Sequence, residues 1–132
     1  MNDSVKVKFI SPTKGKGLFA KNDIPKGKVI DNAHVILIPN KDYKLLDKTI
    51  ISNYCFVWEN PKYKSEYGNA VPMSICQYMN HSYYPNVRYE YNYRNDTIKF
   101  IAIRKILKNE ELTVNYNGEI NDNSPVWFEV LD

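Results

Sequence analysis

The chain has 132 residues, 43% hydrophobic and 25% charged, with a formal net charge of +3. That length supports one domain around one core, and no apolar run reaches a membrane span or opens the chain as a leader. Two cysteines, Cys55 and Cys76, are too few for a disulfide framework or a zinc cluster.

The chain is therefore expected to work inside a cell, with both thiols free and buried as small hydrophobes. Its charge is uneven. Residues 1–30 hold seven lysines against Asp3 and Asp23, while the remainder carries a slight acidic excess. The lysines are spaced and have no interleaved arginine, which favours a solvated edge over a nucleic-acid arm.

Val5, Val7 and Phe9 alternate with Lys6 and Lys8, as in a half-buried strand. Ser11-Pro12 breaks it, and Lys14-Gly15-Lys16-Gly17 is expected to be a loop using positive φ. Leu18-Phe19-Ala20 reads as a short strand, Asp23 to Gly27 as a turn, and Val29 to Ile38 as a longer strand. His34 inside it is expected to be structural. Lys41 to Lys48 is compatible with a short helix or a structured loop. Thr49 to Trp58, rich in β-branched and aromatic residues, predicts a strand, and Asn60 to Asn69 a loop. Val71 to Met79 is apolar enough to be buried. Val87 to Tyr93 and Thr97 to Ile103 read as strands joined by Arg94-Asn95-Asp96. Glu111 to Tyr116 is the last strand, and a polar tail ends in the apolar cluster Val126-Trp127-Phe128, expected to dock on the body. The sum is a mostly β domain of many short strands with little helix.

Gly15-x-Gly17 lacks the third glycine and following helix of a dinucleotide loop, and no Gly-Lys-Ser/Thr ending makes a P-loop. It remains a tight turn that lets backbone approach a ligand. Eleven tyrosines are many for this length. Tyr54, Tyr78, Tyr89 and Tyr116 lie near the expected buried stretches, where rings either pack as core or form a channel for an ammonium stem.

The glycine turn with Leu18-Phe19-Ala20, the triplet Asn80-His81-Ser82 followed by Pro85-Asn86, and Glu110-Glu111-Leu112-Thr113-Val114-Asn115-Tyr116 come in an order and spacing that resemble the SET domain of protein lysine methyltransferases. Pro125 to Val130 is similar to the closing aromatic segment of members without a zinc-binding tail. The resemblance spans Val5 to Leu131 and is nearest to compact bacterial and large-virus members. It implies one domain over 1–132, with a core of about 5–118 and a closing segment of about 119–132. The implied fold is several small β-sheets with a C-terminal pseudoknot, the chain after Asn80 passing under a loop near Tyr116.

The resemblance also implies S-adenosylmethionine as donor, a protein lysine as acceptor, and no metal. Lys16, Gly17 and Leu18 would offer backbone groups to the donor's amino-acid end. Asn80 would bind its ammonium, His81 would give backbone contacts to the adenine, and Trp127 would cover that ring. Tyr116 would be the catalytic tyrosine, also beside the donor. Tyr89 and Tyr54 would line the substrate lysine channel. Asn115 stands where many members carry Asp. The substrate, a histone tail or another protein, is left open, as are monomer or homodimer and mono-, di- or trimethylation. Direct nucleic-acid binding is not expected, and the alternative is a SET-like peptide-binding module without turnover.

The chemistry suits such residues. Attack of an amine on a sulfonium methyl is an in-line displacement, accelerated mainly by positioning. The lysine must be neutral, against a free pKa of about 10.4. A desolvated channel beside a sulfonium lowers that value, because both influences oppose the ammonium.

Overall fold

A computed structural model describes residues 3–59 and 66–126. Nine strands run in chain order: β1 (Val5–Ser11), β2 (Gly15–Ala20), β3 (Val29–Pro39), β4 (Phe56–Val57), β5 (Tyr67–Pro72), β6 (Asn80–His81), β7 (Val87–Asn92), β8 (Thr97–Ala102) and β9 (Glu111–Val114). One helix, α1 (Asn40–Leu46), follows β3, and short 3-10 turns cover Ile50–Tyr54 and Ile75–Tyr78. The mostly β reading holds, and α1 resolves the stretch that sequence left open.

The strands form two sheets. The first has the order β1-β2-β9-β6, with β6 parallel to β9 through Asn80↔Thr113 and His81↔Val114. The second, β4-β5-β3-β8-β7, is antiparallel throughout. Apolar positions repeat every second residue along β2, β8 and β9, so each strand turns one row of side chains inward. Leu18, Ile98, Phe100 and Leu112 are buried in the shared core. The sheets are tied where Ile24 and Ile106 exchange two backbone hydrogen bonds of 2.7 and 2.8 Å.

Several expectations are corrected. The strand expected over Thr49 to Trp58 is a 3-10 turn followed by the two-residue β4. The Thr49 hydroxyl donates to the Leu46 carbonyl and the Ser52 hydroxyl to the Thr49 carbonyl, and such local bonds compete with a ladder. Ile50, 70% exposed, has no facing strand to reward β-propensity. The loop expected over Lys14 to Gly17 is already strand from Gly15. Only Gly15 of its two glycines has positive φ, at 70°. The expected loop Asn60 to Asn69 ends early, because β5 starts at Tyr67. In Val71 to Met79, Cys76 and Met79 are buried but Met73 and Tyr78 are exposed. Cys55 is only half-buried, on the 3-10 side of β4. β9 stops at Val114, since the Asn115 side chain accepts from the Asn117 N–H at 3.0 Å and turns the chain.

The crossing of the chain over β6 is held by side chains. Asn117 Nδ2 donates to the Ser124 carbonyl at 2.7 Å, and the Tyr83 hydroxyl donates to that same carbonyl at 3.0 Å. Residues 115–124 thus fold back over the stretch that follows His81. The docking expected of Trp127 and Phe128 lies outside the described residues.

Candidate active site

Asn86 shows why β6 and β9 lie together. Its side chain is 1% exposed. It donates to the Glu111 carbonyl and accepts from the Thr113 N–H, both at 2.8 Å. An amide carries both a donor and an acceptor, so one residue satisfies both groups of the β9 backbone. Sequence reading placed Asn86 only as the residue after Pro85. Its burial was the missing signal.

Parity then aims the β6 backbone. The Ser82 N–H bonds the Val114 carbonyl at 3.1 Å, so Asn80 and Ser82 face β9. In a parallel pair the residue between them turns its backbone the other way. β6 ends the sheet order, so the His81 peptide groups face the sheet's open edge. The His81 ring is buried and its Nδ1 accepts from the Tyr116 N–H at 3.0 Å. An accepting Nδ1 fixes the neutral tautomer with the proton on Nε2.

Asn80 closes a polar corner between β2 and β9. Its Nδ2 donates to the Lys16 carbonyl at 3.1 Å and to Glu111 Oε2 at 2.8 Å. Gly17 makes room for this. A Cβ there would lie 2.7 Å from Ile10 Cδ1, 2.8 Å from Glu111 Oε2 and 3.1 Å from Asn80 Nδ2. Leu18 pairs with Val7 on one side and Leu112 on the other. Its backbone is held inside the sheet, whereas Lys16 lies past the last β2–β9 pair.

Tyr116 sits just beyond β9. Its hydroxyl donates to the Met79 carbonyl at 2.8 Å. Burial, with the nearby Tyr54 and Glu111 adding to it, pushes the phenol up to about 12. A group so held stays protonated at neutral pH.

Tyr89 comes from the inward face of β7. Its ring meets Phe56 edge-on at 5.0 Å and Phe100 at 6.2 Å. Its hydroxyl lies 3.3 Å from where a Cβ on Gly118 would stand. Burial, with the Glu119 carboxylate adding to it, pushes this phenol also up to about 12.

Tyr54, Tyr89, Tyr116, Asn80 and His81 all line one cleft of about 1250 Å³. Lys16, Gly17 and Leu18 do not line it directly. They meet it through the Asn80 corner. Trp127 lies outside the described residues. Lys14 also lines this cleft, as do Phe56, Tyr91 and Tyr93. The last two were not singled out from sequence, although they continue the period-2 row begun at Tyr89. Among the described residues, no three His, Cys, Asp or Glu side chains are grouped as a metal ion would require, and no helix is long and apolar enough to cross a membrane.

Comparison with known proteins places this arrangement. Residues 15–117 match the SET domain family. The chain is 29% identical over 117 residues to the histone-lysine N-methyltransferase, H3 lysine-37 specific, of Schizosaccharomyces pombe, covering 88% of this chain and 71% of that protein. A candidate histone methyltransferase of Plasmodium falciparum shares the fold, with a TM-score of 0.65 and 22% identity over 88% of this chain and 95% of that one. A humanized Chaetomium thermophilum Polycomb Repressive Complex 2, bound to an inhibitor, aligns with a TM-score of 0.69 and 26% identity, over 88% of this chain and 15% of that one. The chain belongs to the SET domain family. Its class is that of the protein-lysine N-methyltransferases, which take their methyl group from S-adenosylmethionine.

Proposed function

We propose that the cleft holds S-adenosylmethionine at its Asn80 end and methylates, beside Tyr116, a lysine of a basic protein such as a histone tail. The observation that carries this reading is the convergence of Tyr116, Tyr89, Tyr54, Asn80 and His81 on one cavity. The residues fit the donor on a separate ground. Gly17 leaves a corner that a Cβ would fill, bounded by the Glu111 carboxylate and the Asn80 amide. With its N–H groups bonded to Lys16 and Glu111, the Asn80 amide has a carbonyl oxygen to offer an ammonium. Lys16 and Gly17 would supply backbone at that corner, with Leu18 behind them. The outward-facing peptide of His81 would meet the adenine, and Trp127 would cover it.

S-adenosylmethionine, when bound, supplies an electrophilic methyl on a sulfonium. The chain's own residues do the rest. Tyr116 holds its hydroxyl against the Met79 carbonyl, giving a fixed oxygen beside the reacting centre. Tyr89 and Tyr54 guide the lysine stem, and Phe56 and Phe100 exclude water around Tyr89. In that environment the lysine gives up its proton more readily, which the attack needs. The Tyr89 hydroxyl limits space near the nitrogen, favouring addition of one or two methyl groups. Action on histones would place the protein in a nucleus.

The test is incubation with labelled S-adenosylmethionine, histones and whole-cell lysate, beside Tyr116→Phe. Label on discrete proteins that fades in the variant supports the reading. Donor binding with no label in any fraction would point instead to a peptide-binding module without turnover.

A further inference from the structure

The cleft does not end at the lysine channel. Tyr89, Tyr91 and Tyr93 alternate along β7 and just past it, so their rings share one face. At the rise of a strand, Tyr93 lies about 13 Å from Tyr89. Tyr91 and Tyr93 stack in parallel, with centroids 5.4 Å apart and planes within 5°. Trp58, 3% exposed, sets its ring edge against both, at 5.6 and 4.8 Å. Trp58 is thus a buttress, and the two half-buried tyrosines form a rigid shelf inside the cleft.

Charge says what the shelf is for. The charged residues lining the cleft are Lys14, Glu59, Glu90 and Glu119. Glu90 is paired with Arg88 at 2.7 Å and lies 3.9 Å from Lys99. Neither Glu59 nor Glu119 takes part in an ion pair among the described residues. The Glu59 carboxylate is near enough to the Tyr91 and Tyr93 hydroxyls to oppose their ionisation. A carboxylate close to the hydroxyls of two phenol rings attracts a cation by its charge, and a ring face left open to the cleft adds the attraction of its quadrupole. An apolar ligand would have no use for it.

We propose that Tyr91, Tyr93 and Glu59 form a second recognition site, which takes an arginine or lysine side chain of the substrate about two to four residues from the methylated lysine. The spacing follows from the separations of Tyr91 and Tyr93 from Tyr89, about 7 and 13 Å, and the advance of an extended peptide of about 3.4 Å per residue. This site rests on the lysine-methyltransferase reading of the cleft. It turns a general preference for basic proteins into a positional rule.

The experiment uses peptides with one central lysine in an alanine–glycine background and a single arginine moved through the five positions on each side. Methylation rates and, separately, binding to immobilised peptides with S-adenosylhomocysteine present are measured for wild type, Glu59→Gln and Tyr93→Leu. The expected result is a preference for arginine over alanine, about threefold to tenfold, at one position two to four residues from the lysine. It should appear in KM and in binding, and shrink in both variants. No positional preference, or one that both variants retain, overturns the proposal. Position-dependent binding that Glu59→Gln weakens, without methylation of any peptide, would keep this site and overturn the proposed reaction instead.

Discussion

The two ends of the cleft are built by different forces. At the Asn80 end, side chains make directional bonds to named backbone atoms: Asn80 to Lys16 of β2, Asn86 to Glu111 and Thr113 of β9, His81 to the Tyr116 N–H, and Asn115 to Asp122 in the segment that crosses β6. At the aromatic end, β4 and Trp58 just past it meet the β7 face through ring contacts, Phe56 with Tyr89 and Trp58 with Tyr91 and Tyr93. Hydrogen bonds in a buried place fix one geometry and are costly to leave half-made. Ring contacts vary smoothly with shape and tolerate conservative change. On the proposed reading, the methyl donor is one molecule and needs one geometry, whereas the aromatic end has a substrate surface to match.

The contrast can be broken most severely at Asn86. Asn86→Ala leaves a Glu111 carbonyl and a Thr113 N–H without their buried partner. A loss of about 3 kcal/mol is expected in denaturant unfolding, together with loss of donor binding by calorimetry.

Asn115 gives a chemically narrower test. Its Nδ2 donates to the Asp122 carbonyl at 2.7 Å, holding the segment that crosses β6. An aspartate keeps the acceptor for Asn117 but sets a carboxylate oxygen against that carbonyl. Asn115→Asp should cost about 1–2 kcal/mol and weaken donor binding, while Asn115→Ser should do less. Equal behaviour of the two variants would show that the donor half of the amide is idle.

Tyr116→Phe should cost only about 1 kcal/mol in stability, since the ring stays and one bond to Met79 is lost. Its effect on turnover should be far larger, roughly a hundredfold, because positioning carries the rate. Tyr89→Phe is expected to be the mildest, because all its ring contacts persist. Thermal stability should hardly move, and mass spectrometry should find more highly methylated product.

Alkali should affect both ends. Burial pushes the Cys76 thiol up to about 12, and the Tyr89 and Tyr116 phenols are also raised to about 12. Each group keeps its proton longer in the folded protein than in the unfolded chain. Their stabilisation is therefore complete below the ordinary thiol value near 9 and is lost as pH rises toward 12. The unfolding midpoint in urea should fall steadily above pH 9. A flat profile between pH 9 and 11 would show that these groups titrate alike in the folded and the unfolded protein.

The sequence by itself determined the β-rich class, most strands of the two larger hairpins, and the motif residues that sit together at the cleft. Alternation from Val87 onward and from Thr97 onward marks β7 and β8, because one face is core and period two is local information. β-Propensity misled over Thr49 to Tyr54, which has no partner strand and where local hydroxyl bonds made a turn. Only tertiary structure decided what meets what. That Asn86 clamps β9, that Gly17 matters for the space between Glu111 and Asn80 and not for its φ, and that Tyr93 shares a shelf with Trp58 all depend on residues 25 or more apart in the chain. Periodicity records which side of a strand is dry. It holds no record of which distant backbone or ring will arrive there.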